Sequence, residues 1–137
     1  MDRSKSSTMK IYLRHELPFI TVRLKHEEGK VTLPDVLIDT GSASTLISAD
    51  IAIDLGLGPG PEDKIYTVRG IGGTEFVYEK FITRIEVGDI VAYNFKIQVG
   101  AMDYGFKING ILGMDFLIQN KIVIDTGKLI LTVSKDG

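Results

Sequence analysis

The chain has 137 residues, 44% hydrophobic and 25% charged, with a formal net charge of −2 and no cysteine. These values describe one ordinary globular domain with enough chain for its own core, and they exclude disulfides, thiol nucleophiles and cysteine-zinc sites together. Without a basic block nucleic acid is not an expected partner, and without a run of about 18 apolar residues no membrane contact is evident.

The first ten residues, MDRSKSSTMK, are polar and lack the apolar core of a signal peptide. Residues 1–14 read as a flexible leader with a candidate dimer strand, KIYLR (Lys10–Arg14), and 15–137 as a single domain. The missing signal core and missing cysteines point to the cytoplasm. FITVRLK (Phe19–Lys25) alternates as a half-buried strand does. A turn at HEEGK leads into VTLPDVLI (Val31–Ile38), a second strand in which Pro34 predicts an edge or a bulge. Ser48 starts a short helix over Ala49–Leu55, closed by Gly56. After a Gly/Pro-rich loop come a strand at Ile65–Arg69, a break at GIGG (Gly70–Gly73) and a long strand at Thr74–Val87. The apolar phase of that long strand slips near Lys80, which predicts a bulge. Ile90–Val99 alternates with Val91, Tyr93, Phe95, Ile97 and Val99 on one face, and Tyr78, Tyr93 and Phe95 are expected in packing. A short helix follows Gly113, and Lys121–Val133 forms two strands around a turn. Roughly seven strands and two short helices make the class mostly β, a small barrel or folded sheet.

Asp-Thr-Gly occurs twice, as LIDTG (Leu37–Gly41) and VIDTG (Val123–Gly127). The second runs straight into KLILTV, so Asp125 starts a hairpin turn for which Gly127 supplies the backbone freedom. The first is followed by small hydroxyl residues, Ser42, Ser44 and Thr45, before Leu46. A carboxylate closing an apolar strand costs several kcal/mol unless donors compensate it, and hydroxyls and loop N–H groups are such donors. From local chemistry alone, Asp39 is equally a catalytic acid or a turn-capping residue. Asp35 is too far along the strand to pair with it, and Asp115 at a helix start reads as an N-terminal charge or ion-pair partner. His15 and His26 stand alone in polar surroundings. No metal or other cofactor is expected.

Three features in order carry a resemblance. VLIDTGSASTLIS (Val36–Ser48) is similar to the active-site loop of aspartic proteases. Ile111-Leu112-Gly113 in GILGMDFL is similar to their apolar-apolar-Gly signature before a short helix. Between the two, YTVRGIGGTEFVY (Tyr66–Tyr78) stands where they carry a glycine-tipped flap. The order and size resemble the retropepsin-like, single-lobe aspartic proteases over Phe19–Val133. The resemblance implies an all-β small closed barrel or folded sheet with one or two short helices, and an aspartic endopeptidase acting on polypeptide. VIDTGKLIL then resembles the family's terminal hairpin, which leaves Asp125 outside the chemistry.

Such chemistry needs two carboxyls in one site, one ionised to activate water and one protonated to donate to the peptide carbonyl. One chain this short offers one good Asp, so the simplest completion is a two-fold dimer that sets Asp39 beside its own mate. The resemblance implies Thr40 bonding across the axis, Gly41 folding tightly under the carboxylates and Ser42 donating to them. Gly70, Ile71, Gly72 and Gly73 form the flap tip over an extended substrate, with Arg69 and Glu75 beside it biasing the substrate or facing water. KIYLR and LILTVSK (Leu129–Lys135) are the candidate strands knitting the subunits. A departure stands at Met114, where viral members often carry Arg; one stabilising ion-pair partner is thereby lost. Two other readings remain open: a non-catalytic module of this fold that dimerises or binds peptide, and a monomer pairing Asp39 with Asp125. The GIGG stretch lacks the Lys and Ser/Thr of a phosphate loop, and a plain hairpin tip is its bland alternative.

Overall fold

A computed structural model describes residues 8–70, 73–102 and 106–135. In chain order its elements are β1 (Met9–Lys10), β2 (Tyr12–Arg14), β3 (Leu17–His26), β4 (Gly29–Ile38), β5 (Leu46–Ser48), α1 (Ala49–Asp54), β6 (Ile65–Gly70), β7 (Gly73–Val87), β8 (Ile90–Gly100), β9 (Gly110–Leu112), α2 (Met114–Gln119), β10 (Ile122–Asp125) and β11 (Ile130–Val133). The large sheet runs β2-β3-β4-β9-β5-β8-β7-β6, and an extra β3–β7 pairing closes its six central strands into a ring. A second sheet of three strands runs β1-β11-β10. The expected all-β closed barrel with two short helices is thus the observed architecture.

Each long strand follows its side-chain pattern. In β3, Ile20, Val22 and Leu24 point into the barrel, against Ile82, Ile85, Ile97 and Phe116. The run Val36-Leu37-Ile38 is apolar without alternation because both faces are covered. Val36 and Ile38 join the barrel core, while Leu37 joins a second cluster with Phe19, Leu46, Met102, Ile108 and Ile111. The bulge predicted by Pro34 is present: the β3–β4 register shifts between Ile20 and Val22, opposite Pro34 and Asp35, and Asp35 has φ 61.

Three expectations are corrected. The bulge expected near Lys80 is not there, since Lys80 pairs Ile97 and the β7–β8 register is the same on both sides of Thr83; what changes at Thr83, across from Asn94, is the buried face, from Ile82 to Ile85. Asn94 has φ 49, a left-handed conformation that Asn tolerates and that turns the strand's faces over. Tyr93 consequently leaves the packed face and is 68% exposed, whereas Tyr78 and Phe95 are buried as expected. Within residues 1–14, expected as a leader with a strand for a second subunit, Met9–Lys10 pairs with β11 and Tyr12–Arg14 with β3 of the same chain. Finally, β11 has both edges occupied within its own chain, by β1 and β10. Within the segment from Leu129, Ile130 and Leu131 are thus paired on both sides, by β10 and β1, and the outer strands of that sheet are β1 and β10. Among the described residues, no helix is long and apolar enough to cross a membrane.

The base of the β6–β7 hairpin is fixed by polar contacts to the preceding loop. Tyr78 donates to the Leu57 carbonyl at 3.0 Å, and Lys80 Nζ lies 2.9 Å from Asp63 Oδ2, which also accepts from Gly60 N–H. The Lys80 ammonium, helped by Gly60 N–H, holds the Asp63 carboxyl below its usual pKa. A depressed carboxyl contributes stability that is complete above its unfolded pKa and lost as pH falls through the folded value. Asp63→Asn should therefore lower the urea midpoint at neutral pH and flatten its decline below about pH 4. Urea titrations from about pH 2 to 7 check this, and parallel wild-type and variant curves would contradict it.

Candidate active site

Two apolar strand ends meet at the site. β4 and β9 run parallel with Ile38 opposite Leu112, and Asp39 N–H continues the ladder by donating to the Leu112 carbonyl at 3.0 Å. The sheet thus ends at Asp39 on one side and at Gly113 on the other. β5 then pairs antiparallel with β9 and parallel with β8, so the loop between Asp39 and Thr45 is anchored at both ends.

The loop is braced on the start of α2. Met114 N–H donates to the Ser42 carbonyl at 2.8 Å and Asp115 N–H to the Ala43 carbonyl at 3.2 Å. Thr45, only 1% exposed, is the knot. Its Oγ1 donates to Asp115 Oδ1 at 2.7 Å and accepts from Gly113 N–H at 3.1 Å, while its own N–H donates to Asp115 Oδ2 at 3.1 Å. A side chain at Gly113 has no room: an added Cβ would stand 2.2 Å from the Ser44 carbonyl oxygen and 3.0 Å from that of Ser42. The Thr45–Asp115 pair thus ties the loop to the first turn of α2. Thr45→Val leaves the buried Gly113 N–H unpaired and removes one of the two donors to Asp115 Oδ1, the other being Phe116 N–H, and should cost about 1–3 kcal/mol. Urea unfolding checks this, with Thr45→Ser, which keeps the hydroxyl, expected to recover most of the loss.

Asp39 itself is half-buried, with Gly41 N–H donating to Oδ1 at 2.9 Å and Ser42 N–H donating to its main-chain carbonyl at 3.1 Å. A Cβ on Gly41 would press to 3.2 Å from Oδ1, tighter than ordinary contact. The hydroxyls do not serve this carboxylate. Ser42 Oγ donates to the Ser44 carbonyl at 2.7 Å, and Thr45 serves Asp115. The expected Ser42 donation to the acid is therefore absent from the single chain, because the loop's tight turn offers its hydroxyl a nearer carbonyl. Thr40 is exposed and borders an apolar hollow of about 310 Å³ formed with Met114, Leu117, Ile118, Ile122 and Ile124.

Other acids in adjoining elements have their own partners. Asp35 Oδ1 accepts from Tyr12 Oη at 2.9 Å and lies 3.1 Å from Arg14 Nη1. Asp125 accepts from Lys128 N–H at 2.9 Å, inside its own hairpin, as the turn reading requires. In the β6–β7 hairpin, Arg69 pairs with Thr74 and Gly70 with Gly73, whose φ is 104. Ile71, Gly72 and the Arg69 side chain lie outside the described residues. The hairpin arms carry exposed apolar side chains, with Phe76 at 72% and Ile65 at 62%. Sequence reasoning singles out Asp39, Thr40, Gly41 and Ser42, which stand in the loop that follows β4. It misses Thr45 as the knot, although a lone Thr directly before a buried Leu-Ile pair was the available signal.

Comparison with solved structures finds a retropepsin-like aspartic protease from Rickettsia conorii, with a TM-score of 0.62 and 20% sequence identity, covering 92% of this chain and 98% of that one. At that identity the likeness carries the fold. No match is found among curated protein sequences. The profile of the family described as "gag-polyprotein putative aspartyl protease" matches residues 29–119, from the first residue of β4 to the last of α2, and so takes in the Asp39 loop, the β6–β7 hairpin and the Gly113 brace. The chain belongs to this retropepsin-like aspartyl protease family.

Proposed function

We propose that the protein is an aspartic endopeptidase whose acid pair consists of Asp39 from each of two identical subunits. The observation that carries this reading is the Asp39 loop: a half-buried carboxylate at the end of two parallel strands, fixed by Gly41 N–H and braced through Thr45 and Asp115. A capping residue needs no such brace from a distant helix. Within the chain, Asp35, Asp115 and Asp125 are each engaged elsewhere, which leaves a symmetry mate as the source of the second acid.

The dimer face this reading uses is the exposed Thr40 with the apolar hollow beside it, bounded by α2 and β10. Ile118, 65% exposed, extends apolar surface there. The outer strand β10 adjoins it. Two carboxyls brought together share one proton. The ionised one takes a proton from water as that water attacks the peptide carbonyl. The other donates its proton to the carbonyl oxygen, and collapse of the tetrahedral intermediate expels the amine. The β6–β7 hairpin, with Arg69, Gly70, Ile71, Gly72 and Gly73 at its end, covers the extended substrate, and main-chain bonds from it orient the scissile bond.

The test is incubation with an unfolded polypeptide mixture from about pH 4 to 7, the range where paired carboxyls titrate, with new termini read by mass spectrometry. New termini blocked by a transition-state-mimicking statine peptide support the reading. A folded, dimeric protein that makes no cut at any pH overturns it in favour of a peptide-binding module.

A further inference from the structure

On the outer face of the barrel, β4, β3 and β7 lie side by side. Their register sets Lys30 opposite Lys25, and Lys25 opposite Arg84. One row therefore carries three cations on three adjacent strands; the next row reads Thr32, Arg23, Glu86. Directly opposed side chains of an antiparallel pair share a face at close range, and like charges so placed repel. Glu86 does not relieve the row by itself. Its Oε1 accepts from Arg23 Nη2 at 2.6 Å and Nε at 2.8 Å, and its Oε2 lies 2.6 Å from Arg84 Nε. Lys25 Nζ donates to the Glu27 main-chain carbonyl, the Glu27 carboxylate lies 3.8 Å from His26 Nε2, and Lys30 has no carboxylate partner among the described residues. Arg23, Lys25, Lys30, Arg84 and Glu86 line a hollow of about 360 Å³. Four cations facing one carboxylate is a local excess on a chain whose net charge is −2.

We propose that this hollow docks an acidic segment of a polypeptide, whose carboxylates complete the charge row. Lys30 to Arg84 spans two strand spacings, about 10 Å, which two or three carboxylates of an extended segment can reach. Glu86 inside the groove interrupts any longer line of negative charge and so favours discrete carboxylates over a continuous phosphate backbone. Tyr93, opposite Arg84 on β8 and 68% exposed, offers an aromatic face to the segment's uncharged side chains. The groove lies at the far end of β7 from Gly73, so docking there leaves the hairpin tip free. The inference is independent of the peptidase reading, because binding is measured without cleavage.

The experiment is fluorescence anisotropy with a labelled short peptide alternating Glu and Ser, against its Gln-Ser counterpart, on wild type and on the Lys25→Gln/Lys30→Gln double variant. The acidic peptide should bind, the Gln peptide should not, and affinity should fall about tenfold between roughly 50 and 200 mM salt, as screening requires. The double variant should bind at least about tenfold more weakly, yet melt no lower than wild type, because the repelling row is gone. Equal binding by wild type and variant, or no binding of the acidic peptide, would overturn the proposal. Tighter binding of a single-stranded oligonucleotide of matched charge would overturn the assignment to a polypeptide.

Discussion

Asp39→Asn removes peptide cleavage, with kcat/KM falling by at least about 10³-fold, while the thermal midpoint stays within a few degrees of wild type. Both halves of this result follow from the loop. Asn keeps the size of Asp and an oxygen that accepts from Gly41 N–H, so the turn is retained. The brace through Thr45 and Asp115 does not involve the Asp39 side chain at all. What Asn cannot do is take a proton from water or give one to the carbonyl oxygen, and in a symmetric dimer one substitution removes both acids. A turn-capping Asp39 predicts the reverse pattern, lost stability with activity in proportion to folded protein. Product mass spectrometry and a circular-dichroism melt on the same samples separate the two.

Gly113→Ala should cost about 3 kcal/mol or more, beyond the usual range of overpacking, and lower the thermal midpoint by about 10 °C. The atoms that a Cβ meets, the Ser44 carbonyl at 2.2 Å and the Ser42 carbonyl at 3.0 Å, are main-chain atoms of the Asp39 loop and cannot swing aside. Relief requires the loop to move off α2, which also breaks the Gly113 N–H bond to Thr45 and the Met114 N–H bond to Ser42. Activity should therefore fall further than the folded fraction does, because Asp39 moves with the loop. Gly58→Ala is the control: its Cβ meets only the Ile53 side chain at 3.6 Å, an ordinary contact, and its effect should stay within about 0.5 kcal/mol. Differential scanning calorimetry of the two variants checks the contrast.

The long strands were legible because each obeys a two-residue period for at least one stretch, as Ile20, Val22 and Leu24 do. The short strands β5 and β9 were not, since three residues hold no period and their pairing comes from neighbours distant in sequence. Lys10–Arg14 reads as one strand offered to a second subunit, yet it is split between β1 and β2, with Ile11 buried between them and its N–H donating to the Leu129 carbonyl. Asn94 hid the turnover of β7 and β8, because a single left-handed residue leaves the composition unchanged. At the site, the Asp39 loop and Gly113 were legible as motifs. The geometry that joins them was not, because Thr45 and Asp115 lie 70 positions apart. Ser42 was misassigned for a local reason: a main-chain carbonyl two residues on captured its hydroxyl.

The most direct measurement is a subunit-mixing titration. Wild type and Asp39→Asn chains are unfolded together, refolded at fixed total concentration in varying proportion, and assayed on one peptide. If each site is built from two Asp39 residues, activity falls as the square of the wild-type fraction. A linear fall would mean that each chain carries a complete site, and would contradict the shared acid pair.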